Sequence, residues 1–363
     1  MRVGELPSGP GDSIVDVAGI SVGQVTLDEG NIQTGVTVIL PHQGNIFRDK
    51  VPSACHVING FGKSVGLVQV AELGNLESPI FLSNTFSVAA CLEGGLDMLL
   101  AENDDIARST GSANVVVMEC NDGYLSDMRA RAISREHVRE ALVQARESAG
   151  LPFERGSVGA GRGMSCYGLK GGIGSASRVS TYTVGALLLT NFGRLSDLLV
   201  DGRRVGKEIL SMGSADDAHR AARVATQAAS DGSGVGVPGS GSVIVVLATD
   251  APLDSRQLHR LCVRASSGLA RTGATIGGGS GEIVLAFSTA YTIPHYPEAE
   301  AGADADTPVM MRPVLHEDML DGLFRATTEV VEAAVLDSLF KASTVRGRDG
   351  HERRSMLDFG LFQ

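Results

Sequence analysis

The chain has 363 residues, 43% of them hydrophobic, which is enough to bury a substantial core. A net charge of −11, without any Lys/Arg cluster interleaved with aromatics, argues against nucleic acid as a partner. The longest aliphatic runs, such as VIVVLA, are far too short to span a bilayer.

Tryptophan is absent and aromatics make up 4%, so Val, Ile, Leu and Ala must fill the core. The 46 glycines exceed the usual share of roughly 7% and fall in clusters without a period, which marks turns and close backbone approaches. Five cysteines (Cys55, Cys91, Cys120, Cys166, Cys262) are scattered, odd in number and never spaced as C-x-x-C. That pattern suits reduced, mostly buried thiols in a cytoplasmic protein. The first residues, MRVGELPSGPGDS, lack an apolar stretch of signal-peptide length, so a soluble cytoplasmic protein is expected.

Residues 14–100 read as short strands between glycine turns: SIVDVAGISVGQVTL, TGVTVILP, VGLVQVAEL and PIFLSNTFSV. After Ser87 the pattern turns helical through VAACLEGGLDMLLAE, and ANVVVMEC is a buried strand. A helix is predicted over 134–149, capped by Ser134, with Val138, Ala141, Leu142 and Ala145 on one face and Gly150 and Pro152 ending it. The glycine-rich span GSVGAGRGMSCYGLKGGIGSAS comes next, then the strand TYTVGALLLTNFG. Residues 214–230 carry an alanine stripe that predicts a closely packed helix. Residues 254–271 are amphipathic, with Asp254 as cap, and GEIVLAFSTAYTI is a further strand. YPEAEAGADADTP reads as an acidic surface loop, and 315–342 as a long C-terminal helix. Strands and helices cluster instead of alternating singly, which favours sheets covered by helix layers over a doubly wound fold.

Three motifs compete for the chemistry. GKSVG at 62–66 matches a nucleophile elbow around Ser64, but the residues after it read as a strand where the elbow needs a helix. GAGRG at 159–163 has a dinucleotide-loop spacing, yet MSCYGLKGGIGS directly after it is too glycine-rich to open a helix. The third is Ser242, at the seam between DGSGVGVPGSG and VIVVLAT. A loose glycine segment can present a strained peptide bond, and a stiff strand can anchor the serine behind it. Ser242 Oγ could then attack the Gly241 carbonyl, shift the acyl group from nitrogen to oxygen, and emerge after hydrolysis as a new N-terminus. The freed amine, with an ordinary pKa of about 7.7–8, can serve as a base. In TIGGGSGEIVLAFST, Ser280 and Glu282 are two apart at a strand start and so share a face. Asn191, after VGALLLT, could offer its amide to an oxyanion, and Glu119, ending VVVME, could hold a cationic group.

With these residues, and through TGVTVILPH, VINGFGKSVGLVQVAELG, FLSNTFSV, NDGYLSD, GMSCYGLKGGIGSASR, YTVGALLLTNFG, GSVIVVLATDAPL and GGGSGEIVLAFST, the chain resembles the P1 family of self-processing aminopeptidases. These are the relatives of the L-aminopeptidase/D-amidase/esterase and the β-peptidyl aminopeptidases. The resemblance implies an α+β fold, a four-layer αββα sandwich like that of N-terminal-nucleophile hydrolases. It also implies one domain over 1–363, cut into 1–241 and 242–363, and assembly of the paired chains into homo-oligomers. It makes Ser242 the nucleophile, Gly241–Ser242 the cut bond, Ser280 and Glu282 its support, Asn191 the oxyanion donor and Glu119 the acceptor of the substrate amine. No metal or organic cofactor is implied. Relatives can carry a catalytic tyrosine near that acid; here Asn121 stands two residues after Glu119 and the nearest tyrosine is Tyr124. The function expected is removal of N-terminal residues from short peptides, amides or esters with a free amine. The rival readings are an acyltransferase on a similar sandwich and an uncleaved small-molecule-binding protein using residues 156–175.

Overall fold

Aliphatic residues at every second position build the first hairpin, β1 (Ser21–Glu29) and β2 (Ile32–Leu40), paired in register from Ser21 against Leu40 to Glu29 against Ile32. The structure is a computed structural model and describes residues 3–212, 240–296 and 309–362. The predicted helix at 214–230, and all of the acidic loop but Tyr296, lie outside the described residues.

β3 (Asp49–Gly60) is the longest strand, and α1 (Leu67–Leu73) leads from it to β4 (Asn75–Leu76), β5 (Ile80–Asn84) and α2 (Val88–Glu102). Then come β6 (Val116–Cys120), α3 (Arg135–Glu147), the short β7 (Ser165–Cys166) and β8 (Leu169–Lys170), β9 (Gly172–Val179) and β10 (Thr183–Asn191). The chain continues through α4 (Val205–Met212), β11 (Ser240–Thr249), α5 (Ser255–Arg271), β12 (Gly279–Ser288) and β13 (Ile293–Pro294). It closes with α6 (Asp321–Lys341), β14 (Val345–Arg346) and β15 (Glu352–Arg353).

One sheet has the order β1-β2-β5-β6, and the other runs β13-β3-β12-β11-β10-β9 with β4 beside β3. β5–β6 and β11–β12 are parallel pairs; the other pairings are antiparallel. α2 and α3 pack on the first sheet, α5 and α6 on the second. One apolar cluster joins Val38, Phe81 and Val117 of the first sheet to Leu187, Ile244 and Leu285 of the second; the other joins Leu188, Val245 and Val284 to α5 and α6. Among the described residues no helix is long and apolar enough to cross a membrane. All five cysteines are free thiols; four are buried and Cys55 is half-buried.

Two predicted helices hold well. The apolar stripe of α3 (Val138, Ala141, Leu142, Ala145) is buried, and Asp254 caps α5 by accepting from Gln257 N at 2.7 Å. Other expectations are corrected. VGLVQVAEL contains a helix, α1, of which only Val70 is fully buried, held between Gly66 and Gly74 in left-handed backbone (φ 86 and 67). Ile14–Asp16 form a short 3-10 turn before β1, which starts only at Ser21, and the C-terminal helix begins at Asp321 instead of 315. Two strands, β3 and β9, were not expected from the pattern. The two glycines of β9 meet close backbone on different sides: a Cβ at Gly174 would stand 1.9 Å from Ala334 O of α6, and one at Gly172 would stand 1.9 Å from Gly156 O.

Candidate active site

Ser242 is the third residue of β11, directly opposite Asn191 on β10 and Gly281 on β12. Strand alternation sets it on the same face as Ile244, the face that meets the first sheet. It is 6% exposed, and its Oγ donates to Gly241 O at 2.7 Å. The hydroxyl therefore lies against the carbonyl of the peptide bond preceding it.

Asn191 ends β10, and both ends of its amide are fixed. Its Oδ1 accepts from Ser165 N at 2.9 Å, and its Nδ2 donates to Asn121 O at 2.9 Å. Among the described residues no acceptor takes the second Nδ2 hydrogen, a donor held at the strand end opposite Ser242.

Glu119, near the end of β6 in the first sheet, is 3% exposed. Its Oε1 accepts from Lys63 N at 2.7 Å and its Oε2 from the Thr85 hydroxyl. The loop at Gly62 connects it to the second sheet: an added Cβ there would be 3.7 Å from Glu119 Oε1 and 4.0 Å from Gly281 Cα. Ser242, Asn191 and Glu119 thus belong to one side of the second sheet.

Ser280 and Glu282 occupy the other side. They flank Gly281 on β12, and the Ser280 hydroxyl donates to Glu282 Oε1. Both side chains are buried, and Glu282 Oε2 has no partner among the described residues. Burial pushes the Glu282 carboxyl above the usual range, against the Ser280 hydrogen bond that lowers it. These two residues line a cleft of the outer face with Phe192, Gly241, Val243 and Leu269. Asn59 steadies the strand start, its amide donating to the Ser280 and Gly277 carbonyls.

The rival motifs take other roles. GKSVG does sit between a strand, β3, and a helix, α1, so the strand expected after Ser64 is overturned and the elbow's local context is present. Ser64 Oγ is nonetheless buried without an acceptor among the described residues, so no base lies against it. The loop serves Glu119 instead, through Lys63 N–H. GAGRG forms a buried 3-10 turn with no helix after it. The Lys170 ammonium lies beneath it, donating to the carbonyls of Gly161 (2.9 Å), Met164 (2.9 Å) and Gly171 (2.7 Å). Tyr124 is clamped between the His351 ring, stacked at 4.6 Å, and the Arg353 guanidinium at 3.4 Å. Thr85, Ser165 and Arg353 carry no signal in the sequence; only the folded chain joins them to Glu119 and Asn191.

On a mixed α/β frame, a buried serine near the start of a central strand thus lies against the carbonyl before it, with a fixed amide beside it and buried carboxylates on either face, and the comparisons with known proteins place the chain among the hydrolases. The chain belongs to peptidase family S58, whose profile matches residues 12–353. It is 35% identical to the β-peptidyl aminopeptidase BapA of Sphingosinicella microcystinivorans over 357 residues, 94% of this chain and 85% of that one. The PH0078 protein of Pyrococcus horikoshii OT3 is 44% identical, with a TM-score of 0.86 over 99% of this chain and 95% of that one. The L-aminopeptidase D-Ala-esterase/amidase of Ochrobactrum anthropi, a variant of the Ntn hydrolase fold, is 29% identical with a TM-score of 0.82, over 98% and 93%. The fold is accordingly similar to that Ntn hydrolase variant, and the resemblance carried by the sequence motifs stands.

Proposed function

We propose that this chain is a self-processing aminopeptidase with Ser242 as N-terminal nucleophile, acting on short peptides, amino-acid amides or esters that carry a free amine. The observation that carries the reading is the 2.7 Å contact of Ser242 Oγ with Gly241 O. Oγ attacks the Gly241 carbonyl carbon, the C–N bond breaks as the nitrogen takes a proton, and water hydrolyses the resulting ester. Gly241 leaves as a carboxylate and Ser242 gains an α-amine. In turnover that amine takes the Oγ proton, Oγ attacks the substrate carbonyl, and the leaving amine or alcohol departs with that proton; water, deprotonated by the same amine, then hydrolyses the acyl ester and Oγ regains a proton. Asn191 donates to the developing oxyanion, Glu119 receives the substrate amine, and Ser280 with Glu282 supports the new α-amine.

The same reading takes residues 1–363 as one domain in a four-layer αββα sandwich, supported by helices packed on each of two sheets. It expects processed heterodimers assembled into a cytoplasmic homo-oligomer, with no metal or organic cofactor. Intact mass tests it: purified protein should give chains of residues 1–241 and 242–363, and Ser242→Ala should stay whole and inactive. A panel of L-, D- and β-aminoacyl amides then defines the substrate, and N-acetylated substrates should not turn over. A fully active uncut chain would refute the mechanism. Release of an acyl-transfer product only when an acceptor amine is added would favour an acyltransferase.

A further inference from the structure

Buried or half-buried arginines of this chain are generally paired with carboxylates. Arg178 lies 3.0 Å from Asp12 and 3.6 Å from Glu329, and Arg155 lies 3.3 Å from Asp337. Arg353 differs. It is half-buried, and among the described residues no carboxylate pairs with it. Its Nε donates to Ser165 Oγ at 3.1 Å, and its plane stacks on Tyr124, which His351 backs from the other side. His351 is itself tied down by a 2.8 Å contact of Nδ1 with Tyr124 O. The stack fixes the plane of the guanidinium and leaves its two terminal nitrogens without a carboxylate to accept from them among the described residues.

The location gives this guanidinium, which has no carboxylate partner among the described residues, its meaning. Ser165, which holds Arg353 through its hydroxyl, holds Asn191 Oδ1 through its backbone N–H at 2.9 Å, and Asn191 faces Ser242 across the sheet. Asn121, Tyr124, Ser165, Asn191 and Arg353 are all at least partly exposed, so they form an open rim beside the serine. Burial works against the charged guanidinium, and a bound anion would offset that cost. A planar fork whose terminal N–H edge meets no carboxylate of its own chain matches an incoming carboxylate in bidentate fashion.

We propose that Arg353, braced by Tyr124 and Ser165, is a specificity residue that binds a substrate carboxylate about one residue from the scissile carbonyl. The ligand class is therefore a zwitterionic dipeptide, whose amine is taken by Glu119 and whose carboxylate is taken by Arg353. The inference rests on the proposed function, because it takes Ser242 and Asn191 to mark the reacting carbonyl. Arg353 lies C-terminal to Ser242, whereas Tyr124, Ser165 and Asn191 lie N-terminal to it, so a processed enzyme would build this subsite from both of its chains.

The test reads binding apart from turnover. Calorimetry on the wild-type protein compares an aminoacyl-glycine whose scissile amide is reduced to a methyleneamine with the same compound bearing a C-terminal amide. A third ligand, a β-aspartyl amide analogue, carries its carboxylate on the acyl side. The acid should bind at least about 10-fold more tightly than the amide, the range of a charge-assisted hydrogen bond. Arg353→Met should abolish the difference while leaving affinity for the amide unchanged. Arg353→Lys, which keeps the charge without the fork, should retain only part of the discrimination. If the β-aspartyl analogue alone shows the effect, the carboxylate sits on the acyl side and the dipeptide assignment is overturned. Equal wild-type affinity for acid and amide, or an equal loss of both in Arg353→Met and Arg353→Lys, would overturn the subsite and leave Arg353 a prop for Asn191. Absence of aminoacyl hydrolysis by the wild type would instead refute the proposed function, and these binding results would still decide Arg353.

Discussion

Substituting Glu282 by Gln should change stability in opposite directions before and after processing. In a chain kept continuous by Ser242→Ala, Glu282 buries a carboxylate whose Oε2 has no partner among the described residues, and burial raises its pKa. A raised folded pKa means that stability is full below the unfolded value near 4.3 and is lost as pH rises through the folded value. Glu282→Gln keeps an acceptor for Ser280 and removes the charge. At pH 7.5 it should stabilise this background, by on the order of 1 kcal/mol, the low end of what an unsatisfied buried polar group costs. At pH 4 the gain should shrink toward zero, because the wild-type carboxyl is then protonated in both states. In the processed protein the same carboxylate would face the ammonium of Ser242, and removing one partner of a buried pair costs about 3–5 kcal/mol. There Glu282→Gln should destabilise, and kcat/KM should fall by about 10²-fold, as for other positioned proton-transfer groups. Urea denaturation at both pH values and initial rates on an aminoacyl amide measure all of this. The same sign of stability change in both backgrounds, or a full rate in the processed variant, would refute the role of Glu282.

Lys170→Met should cost about 1–3 kcal/mol, because it strands buried carbonyls on which the 159–171 turn depends while removing an amine whose charged form burial disfavours; denaturant midpoints check this. Gly174→Ala should destabilise by about 1–3 kcal/mol by forcing α6 off β9, measurable as a lower melting temperature. Thiol titration of the native protein should find Cys55 slow and the four buried cysteines inert. Burial raises the Cys91 and Cys166 thiols to about 12, and denaturation should release all five.

Elements whose pattern was set locally were legible in the sequence. Capping residues and apolar periodicity located α3 and α5, and dense aliphatic alternation located β10, β11 and β12. β3 was hidden because Pro52 and the isolated polar residues Ser53, His56 and Asn59 weaken its alternation, while it gains partners on both sides from β12, β13 and β4. β9 was hidden because Gly174 answers to α6, more than 140 residues away, and Gly172 to the turn at Gly156 and Gly161. The same division runs through the site. Period two placed Ser280 and Glu282 together, and their hydrogen bond agrees. That Arg353 touches Ser165, 188 residues earlier, could not be read from any local pattern.

The parallel pairing of β11 with β12 limits how the candidate residues can cooperate. Ser242 is in register with Gly281, so its side chain leaves the sheet on the face opposite to Ser280 and Glu282. Glu282 therefore cannot act as a base on Ser242 Oγ by direct contact through the sheet. What both faces share is the backbone of the strand itself. A carboxylate on one face can still meet the Ser242 nitrogen once that nitrogen ends a chain, while Oγ stays on the other face with Asn191 and Glu119. In the proposed mechanism the division of labour comes from this register. Among the described residues the strand backbone at Ser242 is what both faces share, so in this mechanism the proton passes through the amine. A residue inserted between Ser242 and Val243 would leave the serine its hydroxyl but, with Val243–Thr249 held in register by its buried side chains, would move Oγ to the Glu282 face. Such an insertion should abolish turnover even if the chain is still cut, and an active insertion variant would show that the two faces are not separated as the register requires.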